Sequence, residues 1–369
     1  MTKFRKVREY IPLRAMIIFA ITIISLIFFI IVRCSVAFAD FFNYYLTTPI
    51  RAVLSSVTSI IPISIAELFL ITMPIWIGLL IFFGVKQVNK GKKQGIRYLC
   101  YLLCVLCFVF ITFVWTYSSG YNTTSIDKKL GLDRENVSAN ELYDTALWLT
   151  DNLNELAPNI TYNETGASVM PYSYSKMSSK LCDAYDSFVD KYGILHTFRS
   201  KIKPIMLSEP MTYTHISGIY SFMTGESNVN VNYPNFIIAS SSAHELAHQR
   251  GIAREEEANF IAFLVCIGSN DEFLQYSGYL DVYQEVMSAL YSADKKLYKD
   301  VASRLCEKAY LDRVSYSKIF EKYEDSKSAQ ISGSINDSFL QANGQTAGVK
   351  SYGMVTDLAV AYYKSLNSK

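Results

Sequence analysis

Three long uncharged apolar runs limit what this chain can fold into more than any other feature. Ala15 to Val32 and Leu68 to Val85 each hold 18 residues, and Tyr98 to Tyr117 holds 20. A helix rises about 1.5 Å per residue and the hydrocarbon core of a bilayer is about 30 Å thick, so each run can cross with its flanks. The runs account for much of an unusual composition, 50% hydrophobic and only 18% charged, where soluble domains carry about a quarter charged residues. Residues 1–118 are therefore predicted to be a membrane region with spans at about 15–35, 64–85 and 97–117.

The loop cations orient it. Lys3, Arg5, Lys6, Arg8 and Arg14 precede the first span, and Lys86, Lys90, Lys92, Lys93 and Arg97 lie between the second and third. The loop between the first two spans carries only Arg33 and Arg51. The positive-inside rule places the N-terminus in the cytoplasm, and three crossings put residues 119–369 outside it as one extracytoplasmic domain of a multi-pass protein of the cell membrane. Ala37-Phe38-Ala39 has the small-x-small form of a signal cleavage site, but the 18-residue run and Arg33 before it favour an uncleaved anchor. Phe41 to Ile61 reads as an amphipathic stretch in the outer headgroup layer or as a loop. A net charge of +2 gives no ground for a nucleic-acid partner. The partner these runs imply is the lipid bilayer.

The outer domain reads as α+β, mostly helical. Asn140 to Leu156 and Tyr174 to Tyr192 have helical periodicity, the second closed by Gly193. Met211 to Tyr220 reads as a strand. Asn228 to Asn232 alternates Asn with Val and predicts a strand, from about Gly225 to Asn232, with one polar face toward a cleft. From Asn235 the pattern is helical, broken near Gly251, Asp271, Asp294 and the Ser/Gly/Asn-rich 325–350. Cys182, Cys266 and Cys306 are an odd number, so the domain rests on its core and not on a disulfide framework.

The chemistry concentrates in His244-Glu245-Leu246-Ala247-His248. Residues four apart share a helical face, so His244 and His248 can present ring nitrogens to one metal ion, with Glu245 beside them as general base. A hydrolytic zinc needs a third protein ligand and one open position. No histidine follows His248, so the ligand is sought in Glu255, Glu256 and Glu257. Glu255 is preferred because Asn259, four residues on, shares its face and can hold it in orientation. Glu256 is the reserve, and Glu257 fits a solvated acidic turn. Arg250 and Arg254 are candidates to pair with these glutamates. His215, Asn228, Asn230, Tyr276 and Tyr279 are candidate substrate or oxyanion contacts.

Glu255-x-x-Ala258-Asn259, following HELAH, resembles the E-x-x-A-(D/N) second motif of HExxH peptidases whose third zinc ligand is glutamate, such as the ImmA/IrrE-type and HtpX/Ste-type enzymes. The six residues between His248 and Glu255 are fewer than in those groups. The full run HELAHQRGIAREEEANF is similar to an uncharacterised bacterial family of multi-pass membrane proteins, a domain of unknown function. That likeness extends over MTYTHISGIY, FMTGESNVN, QYSGYL, FLQANGQ and GVKSYG. It implies a peptidase-like protein that uses Zn²⁺ and assigns it no substrate. The expected activity is metallopeptidase hydrolysis at the outer membrane face, with a peptide or protein substrate as the second implied partner. The alternatives are a sensor or binding protein with a structural metal site, and a metal-dependent amidase acting on cell-wall material.

Overall fold

The computed structural model describes residues 3–367, with side chains from Val7 onward, so the cations Lys3, Arg5 and Lys6 lie outside the described side chains. A short helix, α1 (Lys3–Tyr10), leads into α2 (Leu13–Cys34), and the other two long apolar helices are α5 (Ile65–Val88) and α6 (Lys92–Thr116). All three are long and apolar enough to cross a membrane, with large side chains such as Ile23, Ile81 and Leu106 facing outward. α2 and α6 are joined by Trp115 Nε1 donating to Ser25 Oγ at 2.9 Å.

Ser35 leaves helical geometry and caps the next helix through Phe38 N. The stretch from Phe41 is helical: α3 (Val36–Phe42) passes through one wide turn into α4 (Thr48–Thr58). Beyond the third span come α7 (Ile126–Leu130), α8 (Ala139–Leu156) and α9 (Tyr174–Tyr192). A Ser138–Glu141 capping box starts α8, and Gly193 ends α9 at φ 68°, the left-handed geometry expected there.

The sheet departs from the sequence reading. Met211 to Tyr220 is not one strand. Ser208–Thr212 is a helical turn, α10, and only β2 (Gly218–Ser221) is extended. Thr212 Oγ1 and Thr214 Oγ1 donate to the carbonyls of Ser208 and Met211 at 2.9 and 2.7 Å, a local bonding that competes with a strand ladder. β3 (Glu226–Val229) is the middle strand, parallel to β1 (Ile202–Pro204) and antiparallel to β2. Its Asn face is not open to a cleft. Asn228 donates to Ile219 O at 3.1 Å, and Asn230 donates to Ile216 O at 3.1 Å while accepting from Asn232 N at 3.0 Å. The alternating Asn residues satisfy neighbouring backbone groups, and both are buried.

α11 (Asn235–Gln249) lies against β2 and β3 on one side and against α12 (Glu255–Ile267) and α13 (Glu272–Ala293) on the other. α14 (Lys295–Arg304), α15 (Glu307–Glu321), α16 (Lys327–Ala342) and α17 (Val355–Asn367) complete the domain. The Ser/Gly/Asn-rich stretch thus contains a helix. Ser326 caps α16 through Ala329 N, and Leu340 is its one buried residue. The described cysteines are all free, and the core is apolar helix packing.

The domain is bound directly to the long apolar helices. Glu226 accepts from Ile65 N and Ala66 N at 3.0 and 2.9 Å, an anion at the N-terminus of α5. Lys203 pairs with Glu226 and donates to Thr58 O and Ile63 O at 2.9 and 3.0 Å. Glu67, in the first turn of α5, accepts from Met206 N and Leu207 N at 3.0 and 2.8 Å. Arg51 of α4 is fully buried: Nε donates to Gln249 O and Nη2 to Asn43 Oδ1, each at 3.0 Å, and Nη1 reaches Thr116 O. Burial pulls its pKa down to about 10, so it stays charged at neutral pH.

Candidate metal centre

α11 carries His244 and His248 one turn apart, their rings 4.5 Å between centroids and nearly perpendicular. Gly251, at φ 104°, turns the chain back so that α12 begins at Glu255. A Cβ at Gly251 would collide with Arg51 and Asn43, so the tight turn depends on glycine. The turn brings Glu255 Oε2 to 3.2 Å from His244 Nε2 and 3.4 Å from His248 Nε2. Among the described residues these three form the one group of His, Cys, Asp or Glu placed to hold a metal ion.

The donor set fits a small divalent cation. Ligand atoms about 2.0–2.1 Å from a tetrahedral ion are about 3.3 Å apart, close to both observed separations. Glu255 Oε2 is buried without a hydrogen-bond partner although it points between two imidazoles, an arrangement a cation would complete. His248 Nδ1 lies 2.7 Å from Ile252 O and 3.2 Å from the Tyr117 hydroxyl. Donation of Nδ1–H to that carbonyl leaves the Nε2 lone pair for a metal. Burial opposes charge on His248, but the Glu255 carboxylate outweighs it and lifts the imidazole pKa to about 9. Burial likewise opposes charge on Glu255, and the two imidazoles hold its carboxyl well below the usual range.

Glu245 is buried next to the ligands, and its carboxyl pKa is raised by that burial. It is pressed against β2: a Cβ at Gly218 would stand 2.6 Å from Glu245 Oε1. Glu245 and His244 open into a cavity of about 480 Å³ bounded by Ser217 and Gly218 on one wall and by Ser332 and Asn336 of α16 on the other. Asp281 of α13 lines the same cavity, and desolvation pushes its carboxyl up to about 6.

The remaining candidates divide. Asn259 lines the cavity and donates to Tyr352 O at 3.4 Å, so it positions the Tyr352 segment. His215 lines the cavity, with Nε2 2.8 Å from Tyr323 O. Tyr276 is in the core, donating to Asp312 at 3.1 Å, and Tyr279 packs on Trp148 and Phe263, so neither reaches the site. Asn228 and Asn230 are occupied within the sheet, as described above. Glu256 turns away and accepts from Gln345 Nε2 at 2.6 Å. Glu257 is not solvated: it is buried and accepts from Ile126 N at 3.0 Å and Arg254 at 2.8 Å. Arg250 does not pair with the glutamates. It donates to Phe198 O at 3.0 Å and stacks on Tyr185, 4.1 Å from the ring centroid.

Two contributors do not emerge from the motif. Tyr117, the residue directly after α6, touches His248. Tyr352 stacks on His244 at 6.5 Å, lines the cavity and accepts from Asn336 Nδ2 at 3.3 Å. Burial, then the Glu255 charge, keeps its phenol protonated. The block GVKSYG contains Tyr352 and MTYTHISGIY contains Gly218 and Tyr220, but neither block has a spacing that names a chemistry.

No curated protein and no solved structure matches the chain. The family described as protein of unknown function (DUF3810) matches residues 42–360, a stretch that takes in the second and third apolar helices, the three-stranded sheet and the His–His–Glu cluster, and the chain belongs to that family.

Proposed function

We propose that the chain is a membrane-anchored, zinc-dependent peptidase whose active domain lies outside the cytoplasm. The observation that carries this reading is the convergence of Glu255 Oε2 on the Nε2 atoms of both motif histidines, with Glu245 beside them at the floor of a cavity. His244, His248 and Glu255 are the residues that would hold the ion. Two imidazoles and one carboxylate suit zinc and leave a fourth position, and the bound ion supplies Lewis acidity.

The chain's own residues do the rest. Glu245 accepts a proton from a water at the cavity floor and delivers it to the leaving amine. The Tyr352 hydroxyl, on the same wall as His244, donates toward the oxygen that gains charge as the peptide carbonyl is attacked. The free edge of β2 offers backbone groups to an extended substrate. Three protein ligands and an open cavity favour this over a closed structural site, which needs a fourth protein ligand and no cleft.

The full-length protein in detergent is expected to bind one zinc ion and to cleave a mixed peptide library in a chelator-sensitive manner. Glu255→Ala is expected to lose both properties. Zinc bound equally well by Glu255→Ala would overturn the ligand assignment, and a zinc-loaded protein inert to peptides would overturn the peptidase reading.

Zinc loading also has a predicted proton signature. Below its raised pKa of about 9 His248 is charged, and a ligating imidazole must be neutral, so loading near pH 7.5 displaces about one proton. Affinity should therefore rise about tenfold per pH unit from about 7 to 9 and then level off. In the metal-free protein the same shift has the opposite sign. Its stabilising contribution is full below the unfolded value near 6.5 and is lost as pH climbs through about 9. Calorimetry in buffers of different ionisation enthalpy measures the released proton.

Tyr352→Phe is expected to lower kcat by about 10²–10³-fold, the usual cost of one oxyanion donor, with KM and zinc content little changed. Steady-state kinetics with metal analysis on the same preparation checks it.

A further inference from the structure

The metal cluster stands on the end of a membrane helix and is fixed there. Tyr117, which touches His248, directly follows α6. Arg51 bonds the last turn of α11 and the last turn of α6 at once. Lys203 and Glu226 bind the sheet to the start of α5. With these ties on three sides the cavity cannot swing away from the bilayer surface.

The two walls of the cavity also continue the apolar surface of the spans. α16, whose Ser332 and Asn336 face the cavity, exposes Ile331 (62%) and Ile335 (65%) one turn apart, with Phe339 a further turn on. Its far end is attached to the spans: Arg33, in the last turn of α2, donates to Ala342 O at 3.0 Å, and Phe339 meets Phe113 of α6 at 6.1 Å. On the opposite wall β2 exposes Ile219, and the hairpin tip after it reaches α6, where Thr116 Oγ1 donates to Phe222 O at 3.0 Å. Exposed apolar side chains on both rims, continuous with lipid-facing helices, fit a bilayer surface better than open water.

We infer that the substrate is a polypeptide anchored in the same membrane, taken within a few residues of the bilayer and laid extended between the free edge of β2 and α16, with Ile331 and Ile335 resting on the lipid surface. This rests on the peptidase reading for its chemistry but not for its geometry. A cavity held at the surface admits the segment just past an anchor. A chain extends about 3.3 Å per residue, so a bond some ten residues out can lie about 30 Å from the surface. Tethering confines the segment to the plane of the site and raises its effective concentration, to the millimolar range for short linkers.

The test uses full-length protein carrying Glu245→Gln, reconstituted in phosphatidylethanolamine–phosphatidylglycerol vesicles, with a benzophenone side chain incorporated at Ile219. The probes are a single apolar span followed by a 40-residue flexible tail, at about 40 residues long enough to sample far beyond the surface, and the same tail as a free peptide. Crosslinks are expected to fall within about the first ten tail residues, with at least about tenfold greater yield than from the free peptide. Ile331→Ser with Ile335→Ser is expected to cut capture of the anchored probe several-fold and leave the weak capture of the free tail unchanged. Crosslinks spread evenly along the tail, equal capture of the free peptide, or no capture of the anchored probe would each overturn the inference. Because Glu245→Gln is used, this outcome is independent of catalysis. A failed peptidase reading shows separately, as wild-type protein that captures the same tail near the span but never cuts it.

Discussion

Replacing Glu245 with glutamine is expected to lower kcat by about 10²–10⁴-fold, the range general acid–base catalysis contributes, while zinc content stays at one per chain. The geometry sets both halves of this expectation. Glu245 is not among the converging ligand atoms, which come from His244, His248 and Glu255, so an amide in its place leaves the metal donors intact. The substitution is nearly isosteric, and the tight contact with Gly218 tolerates it where a longer side chain would push β2 aside. Glutamine cannot take up a proton, and only proton transfer is lost. KM should hardly move, because the backbone edge of β2 remains. A Gln variant that cleaves the peptide library at the wild-type rate would remove Glu245 from the mechanism, whatever the zinc content.

Arg51→Met is expected to destabilise the protein by about 3–5 kcal/mol. One guanidinium satisfies Gln249 O, Asn43 Oδ1 and Thr116 O in a fully buried position. Each acceptor left bare there costs about 1–3 kcal/mol, less whatever the site relaxes. The charge also sits at the C-terminal end of α11, where the helix dipole favours a cation. Arg51→Lys should recover only part of the loss, because an ammonium has no planar fork to reach Asn43 and the ends of α6 and α11 together. Thermal midpoints in detergent compare the three proteins, and faster proteolysis around Gly251 would locate the damage. A wild-type midpoint for Arg51→Met would mean that the domain does not depend on this tie.

Much of the outline was legible because it rests on local signals. The three apolar runs needed only length, and helices cover them at 13–34, 65–88 and 92–116, with ends displaced from the expected spans by one to five residues. The Gly193 cap follows from backbone chirality. Glu255 is preferred for its spacing to Asn259, and the structure places Glu255 Oε2 against both imidazoles while Glu256 turns to Gln345. The Asn259 amide, however, goes to Tyr352 O and not to Glu255. What failed depended on partners that only the folded chain brings into contact. The Asn residues of 228–232 look like a polar strand face until Ile216 and Ile219 supply carbonyls for their amides. Glu257 looks solvated until the amide of Ile126 meets it, although its pairing with Arg254 is among the candidates. α16 was hidden by a composition of Ser, Gly and Asn, and it holds through its cap, Leu340 and its contacts with the spans. Arg51 enters only as one of two loop cations, because its acceptors are carbonyl and amide oxygens that no charge pattern records.

The cluster's outer wall is supplied last. Gln345 and Tyr352 come from a segment made some 90 residues after Glu255, yet one holds Glu256 and the other covers His244. Asn43, Arg51 and Tyr117, near the other end of the chain, support the floor. The two imidazoles are therefore enclosed only once segments from both ends of the chain have packed around them.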